Sequence, residues 1–313
     1  MKLLTLTVLL AIVLLLIVTS DPSRVNGSKT HNTLSAETLG LLGEVSQKAK
    51  FIASIFAPAN YAYNGLITPY SKSLKTIKAK VTLTDVKLAA EIAANYGSQE
   101  LSTVQGYKLV KNFVNAAKAT NCKVYFNSAT KSAIVSFKGT QMNDPVDWAN
   151  NLKTAFSSFQ IGSSAYAVHT GFLSEYLVDR QNIFDTIKSL GLLNEIGFYG
   201  HSQGGSLSEL AAVDYLGSGK RPETKATIKV VTFGQPRVGD ANFAAKSNQV
   251  NPNFVRVITK WKELLGPRQD IVPISLPVGA GYRHAGLQLE VQCVNSDFIN
   301  CHLMKGYSKS MNQ

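Results

Sequence analysis

The stretch from Glu195 to Ala212 constrains this chain more than any other. Ile196 to Tyr199 is short and apolar, as a buried strand requires, and Gly200-His201-Ser202-Gln203-Gly204 follows at once. Ser206 to Leu216 then has helical spacing, with Leu207, Leu210, Ala211 and Val213 on its packed side. A G-x-S-x-G turn between a strand and a helix forces its serine into strained backbone geometry and leaves room only for small neighbours. Gly200, Gly204 and Gly205 meet that demand. The hydroxyl is lifted clear of the strand, and the free N–H groups of the helix N-terminus point at it. Stripped of context, the pentapeptide is a glycine-rich turn with an ordinary serine. The flanking elements make Ser202 a candidate nucleophile.

A strand of that kind needs a sheet around it. Lys123–Phe126 and Ala133–Phe137 flank Asn127-Ser128-Ala129-Thr130 and read as a hairpin. Tyr166–Phe172, Thr227–Phe233, Phe254–Thr259 and Leu287–Val291 read as further strands. Thr84-Asp85 reads as the N-cap of a helix carrying Val86, Leu88, Ala89, Ile92, Ala93 and Tyr96 on one side. Leu109–Ala119 and Leu173–Leu190 are further helix candidates. Strands separated by helices predict an α/β domain over 84–313, with a mostly parallel sheet covered by helices on both faces.

The residues before 84 are of another kind. Lys2, the uncharged run Leu3–Val18 and the small residues Val18-Thr19-Ser20 have the layout of a signal peptide over 1–20. The run is short for a membrane span, which favours a cleaved signal over an uncleaved anchor and predicts a secreted or lumenal protein. Leu34–Phe56 has helical spacing, Pro58 stops it, and Ser71–Lys80 is basic. Residues 21–83 are expected to be an N-terminal extension. A pro-segment, a permanent extension and a helical cap all fit.

Of the net charge of +12, residues 21–80 supply a disproportionate part, with eight Lys or Arg against three Asp or Glu. The rest is dispersed, so nucleic acid is not an expected partner. Moderate positive charge suits an anionic lipid surface. Cys293 and Cys301 lie eight residues apart in a polar loop that can close as a disulfide, leaving Cys122 free. No Cys/His spacing has the pattern of a metal site, and no cofactor is implied.

A serine at neutral pH needs an adjacent base, and the base needs an orienting carboxylate. In an elbow-type fold these follow the serine in the order acid, then histidine. Of His31, His169, His201, His284 and His302, only His284 and His302 come late enough. Glu209 and Asp214 lie on the elbow helix, and Asp240 reads as the N-cap of the next one. Asp270, in Gln-Asp-Ile-Val-Pro after a strand, is the preferred acid. His302, on a terminal loop with room to swing over the serine, is the preferred base; His284 is the alternative. His169 and His201 are assigned to structural hydrogen bonds. The oxyanion needs N–H donors. The backbone of Gln203 is one, and the strand end Gly139-Thr140 fits the other. Beyond it, Val146, Trp148, Ala149, Leu152, Ala155 and Phe156 fall near helical spacing. They read equally as a flap over the site or as a core-packed helix.

With these residues gathered, the chain resembles the class 3 lipases, an α/β-hydrolase family that includes secreted fungal triacylglycerol lipases. The likeness spans about 84–307. It rests on Val-Ser-Phe-Lys-Gly-Thr at 135–140, Asp-Trp at 147–148 and Val-His-Thr-Gly-Phe at 168–172. Gly-His-Ser-Gln-Gly-Gly at 200–205, Thr-Phe-Gly-Gln-Pro-Arg-Val-Gly-Asp at 232–240 and Asp-Ile-Val-Pro at 270–273 continue it. Gly-Tyr-Arg-His at 281–284 and His302-Leu303 with Tyr307 complete it. The resemblance implies an α/β-hydrolase fold with Ser202, Asp270 and His302 as the catalytic set and Thr140 and Gln203 at the oxyanion hole. It further implies a lid carrying Val146, Trp148 and Leu152.

The expected activity is hydrolysis of acylglycerol esters through an acyl-enzyme, with a lipid or ester at a lipid–water interface as partner and peripheral contact to a membrane or micelle. A phospholipase A1-type, short-chain or feruloyl esterase, and a non-catalytic lipid-binding protein, are the rivals. The sequence departs from the family where Gln203 replaces a usual Leu, Lys138 a usual Arg and Asn151 a common acid. The interval from Asp270 to His302 is short for the fungal members. Oligomeric state is not legible.

Overall fold

A computed structural model describes residues 80–94, 102–115, 120–139, 152, 154–219, 225–263, 266–293 and 298–311. The signal segment 1–20, the helix expected at 34–56 and the extension up to residue 79 lie outside the described residues, as do Thr140, Val146 and Trp148.

Helix α1 (Leu83–Ala94) starts one residue before the expected cap. Thr82 and Asp85 bond reciprocally: Thr82 N–H donates to Asp85 Oδ2 at 2.6 Å, and Asp85 N–H donates to Thr82 Oγ1 at 3.2 Å. Thr82 is thus the cap, and Asp85, the third helical residue, closes the capping box. After β1 (Thr103–Val104) comes β2 (Tyr107–Asn115). This strand overturns the helix expected over 109–119. It pairs antiparallel with β3 (Thr120–Asn127), and the register shifts between Leu109 and Lys111. Such a bulge breaks the two-residue alternation, so the apolar side chains fall at a spacing that mimics a helix.

The hairpin of β3 and β4 (Ser132–Phe137) forms as expected. Asn127 Oδ1 accepts from the N–H groups of Ala129 and Thr130 and closes the turn. A separate two-stranded hairpin, β5 (Phe156–Ile161) and β6 (Ser164–His169), precedes α2 (Thr170–Ser189). The strand reading of 166–172 therefore stops at His169, whose Nδ1 accepts from Phe172 N–H and caps the helix. The chain continues through β7 (Glu195–His201), α3 (Gln203–Gly217), β8 (Thr227–Phe233), α4 (Ala241–Val250) and β9 (Phe254–Glu263). Asp240 caps α4 by accepting from Phe243 N–H at 2.8 Å. The remainder is β10 (Gly266–Gln269), two 3-10 turns, β11 (Leu287–Gln292), α5 (Phe298–His302) and α6 (Met304–Met311).

Among the described residues β4, β7, β8, β9 and β11 run parallel in adjacent positions, and β1–β3 and β10 add antiparallel edges. Alternation along each strand builds two cores. Ile196, Phe198, Ile228 and Val230 face α2 and α3, while Tyr199, Val231 and Phe233 face α1 and α6. The carboxyl ends of β4, β7 and β8 lie side by side, where such a sheet can hold a site.

Candidate active site

The turn after β7 has the strain that its glycines predict. Ser202 sits at φ 56°, ψ −129°, a region that side chains rarely occupy. Its N–H donates to Phe233 O and its carbonyl accepts from Gly205 N–H, so the end of β8 and the first turn of α3 fix it. The turn is pressed against the end of β4. A Cβ on Gly204 would run into Phe137 O, and one on Gly139 would come within 2.6 Å of His201 O. Gly139 therefore packs directly against the turn that carries the serine, and Gln203 is the first residue of α3.

The histidine arrives from the far end of the chain. His302 Nε2 lies 3.1 Å from Ser202 Oγ, and His302 Nδ1 lies 2.7 Å from Asp270 Oδ2. All three side chains are 0 % exposed. Asp270 follows β10, where its Oδ1 also accepts from Val272 N–H at 3.0 Å and starts the 3-10 turn. Gly234, at φ 57°, lies under the acid and the base: a Cβ there would meet Asp270 Oδ2 at 2.7 Å and the His302 ring at 2.9 Å.

The structure thus brings Ser202, Asp270 and His302 into one hydrogen-bonded row. His284 is not in it. Its Nε2–H donates to Pro273 O at 2.8 Å, beneath the acid loop, and burial followed by the charges of Arg256 and Arg237 pushes its pKa well down. Arg237 Nη1 holds the same loop through Leu276 O at 2.6 Å. Gln203 directly follows the serine at the start of α3, and its side chain donates to Glu175 Oε1 on α2 at 2.7 Å. Leu152 packs against the larger core, while Thr140, Val146 and Trp148 lie outside the described residues. Cys293 and Cys301 form a disulfide, and Cys122 is free and buried.

Two further residues shape the site: Tyr307, given no role from sequence, and His201, expected only to make a structural hydrogen bond. Tyr307, on α6, donates its hydroxyl to Asp270 Oδ2 at 2.7 Å, the oxygen that His302 also meets. Burial, then the nearby Asp270 charge, holds the phenol pKa well above its usual value, so it remains a donor. Its position just after the histidine was the available signal, but which strand end a terminal helix packs on is not a local property. His201 is the other: its Nε2–H donates to His302 O at 2.7 Å. Among the described residues no cluster of three His, Cys, Asp or Glu side chains has the arrangement of a metal site.

Residues 134–278 match the family model described as Lipase (class 3). The matched segment belongs to the class 3 lipases. It contains the Ser202 turn and Asp270, while His302 lies beyond it. A lipase of Rhizopus niveus is 26 % identical over 203 residues, which is 62 % of this chain and 47 % of that protein. Phospholipase A1-IIgamma of Arabidopsis thaliana is 23 % identical over 235 residues, 65 % of this chain and 54 % of that one. The chain spans about half the length of these curated relatives. The crystal structure of a lipase from Rhizopus microsporus var. chinensis superposes with a TM-score of 0.55 at 26 % identity, covering 70 % of this chain and 77 % of that one. The fold is that of an α/β-hydrolase, as the parallel sheet, the strained serine and the chain order Ser, Asp, His require.

Proposed function

We propose that this chain is a serine ester hydrolase acting on acylglycerols, with 84–313 as the catalytic domain. The row Ser202 Oγ–His302 Nε2, His302 Nδ1–Asp270 Oδ2 carries the reading. Ser202 Oγ attacks the ester carbonyl carbon while His302 Nε2 takes its proton. The oxyanion is met by Gln203 N–H and by Thr140, and Asp270 holds the imidazole so that Nε2 faces the serine. As the tetrahedral intermediate collapses, His302 returns the proton to the leaving alkoxide and the alcohol departs. Water then loses a proton to His302 and attacks the acyl carbon, and the fatty acid leaves as Ser202 recovers its proton.

A fully covered Ser202 requires an opening before any ester can enter. The segment after Thr140, with Val146, Trp148 and Leu152, is the proposed flap, and a lipid–water interface or micelle is the surface that would draw it aside. The disulfide and the leading apolar run of 1–20 support export through an oxidising compartment. Among the described residues no helix is long and apolar enough to cross a membrane.

The test is Ser202→Ala in the purified protein, assayed on tributyrin and on long-chain emulsions. Removal of the nucleophile should lower kcat by about 10⁶-fold with folding retained, and undiminished hydrolysis would end the reading. The plant phospholipase A1 relatives favour one second reading, an A1-type phospholipase. Rates on triacylglycerol emulsions against phosphatidylcholine vesicles separate the two.

A further inference from the structure

A base carried on a chain end has to be held as firmly as one inside the sheet. Three ties converge on the two residues Cys301 and His302. The Cys301 sulfur is bonded to Cys293 just past β11. Cys301 O accepts from Thr259 Oγ1 on β9 at 2.8 Å. His302 O accepts from His201 Nε2–H at 2.7 Å. The third tie differs from the others in its origin. His201 ends β7 and directly precedes Ser202, so it joins the backbone of the base to the backbone of the nucleophile.

The chain is built so that this carbonyl is available. Helix α5 ends at His302, and the N–H groups of Gly306 and Tyr307 both turn to Leu303 O. The carbonyl of His302 therefore stands outside the helical ladder at the break before α6, where a helix end needs an outside donor. Only a protonated Nε2 can serve, because a carbonyl accepts and does not donate. The His201 ring also lies against that of His302, with centroids 4.7 Å apart, and stands edge-on to Tyr307 at 6.1 Å. Burial first, and the His302 charge second, lower the His201 pKa to about 3, so a neutral ring faces the imidazole that becomes a cation during turnover.

We propose that His201 is a positioning residue: its Nε2–H fixes the backbone of His302, so that the imidazole stays within hydrogen-bond reach of Ser202 and Asp270 together. A hydrogen bond from His302 Nδ1–H to Asp270 can orient the ring, but it cannot set where the backbone holds it. The inference rests on the reading of Ser202, Asp270 and His302 as a catalytic row.

Two variants of the full-length, disulfide-intact protein test it with p-nitrophenyl butyrate as a soluble ester. His201→Phe keeps an aromatic ring against His302 and Tyr307 and removes the donor. His201→Gln keeps an amide N–H where Nε2 stood. His201→Phe should lower kcat by about 10²-fold, the effect of a 1 Å misplacement, with KM within about twofold, since uniform binding is untouched. His201→Gln should recover most of the loss. In parallel, the downfield proton resonance of the His302–Asp270 hydrogen bond should broaden or vanish in His201→Phe and return in His201→Gln. A kcat unchanged in His201→Phe, or a resonance unchanged in it, overturns the proposal. If His201→Phe does not fold, His201→Gln is compared with His201→Asn, whose amide is too short to reach His302 O; equal kcat in that pair overturns it. The resonance reports on His302 whether or not ester is turned over. A wild type that shows it without turnover therefore overturns the esterase reading and leaves the positioning role to be judged by the resonance alone.

Discussion

Gly234 tests how closely the site is packed at the level of single atoms. Its φ of 57° and the contacts that a Cβ would make with Asp270 Oδ2 and His302 are separate constraints on one residue. Gly191 offers the control, because it has φ 77° with no atom within 4 Å of its would-be Cβ. Gly191→Ala should cost about 1 kcal/mol of backbone strain and leave turnover unchanged. Gly234→Ala should cost about 2–3 kcal/mol by urea unfolding, at the upper end of strain at such positions. It should also lower kcat by about 10²-fold, because the new methyl displaces the acid and the base. Equal effects of the two substitutions on kcat would show that the close approach does not matter. The same crowding explains why the row is rigid: Asp270 Oδ2 is met by His302 and Tyr307 together, and Oδ1 by Val272 N–H, so the carboxylate has no freedom to turn.

At the scale of elements, α1 is fastened to the sheet by charge as well as by packing. Lys229 Nζ, projecting from β8, bonds Asp85 Oδ1 at 2.9 Å and Glu195 Oε2 at 2.6 Å. Burial opposes the Lys229 charge, but these two carboxylates outweigh it and its pKa is raised. Asp85 also closes the capping box with Thr82, so one side chain serves both the start of α1 and its anchorage. Asp85→Ala should therefore destabilise by about 3 kcal/mol, the loss expected when one partner of a buried pair is removed. Glu195→Gln should cost less, since Glu195 is more exposed than Asp85 and leaves Lys229 its other partner. Urea unfolding with amide exchange along α1 measures both; an Asp85→Ala loss no greater than that of Glu195→Gln would contradict the account. On the opposite face, buried Asp214 of α3 accepts from Tyr176 at 2.6 Å and from Arg180 Nη2 at 2.8 Å, which fixes α2 against the elbow helix.

For the whole molecule, three buried groups set the acid limb of stability. His201 and His284 have folded pKa values below the ordinary histidine value, so the unfolded chain takes up protons first as pH falls below about 6.5. Glu209, buried beside Gln235, is raised to about 7, so the folded chain holds the extra proton and stability falls as pH rises from 4.5 to 7. Between pH 4.5 and 6.5 two histidines oppose one carboxyl. Stability should rise with pH there by about 1.4 kcal/mol per unit, one net proton. Glu209→Gln removes the opposing group and should steepen that slope, which a series of urea melts across the window would read; a shallower slope would refute the assignment. What the sequence alone determined is the local part of this protein. The elbow at Ser202, the hairpin, the Asp240 cap and the preference for Asp270 and for His302 over His284 follow from glycine sterics, alternation and chain order. Local pattern failed at β2, where a bulge gave a strand the spacing of a helix. Only the tertiary structure decided that Tyr307 closes on Asp270, that Asp85 reaches Lys229 across 144 residues, and that His201 holds His302 from 101 residues away. Those contacts belong to which faces the sheet turns inward and where its strand ends meet. No window of the chain contains both partners, so no local spacing could encode them.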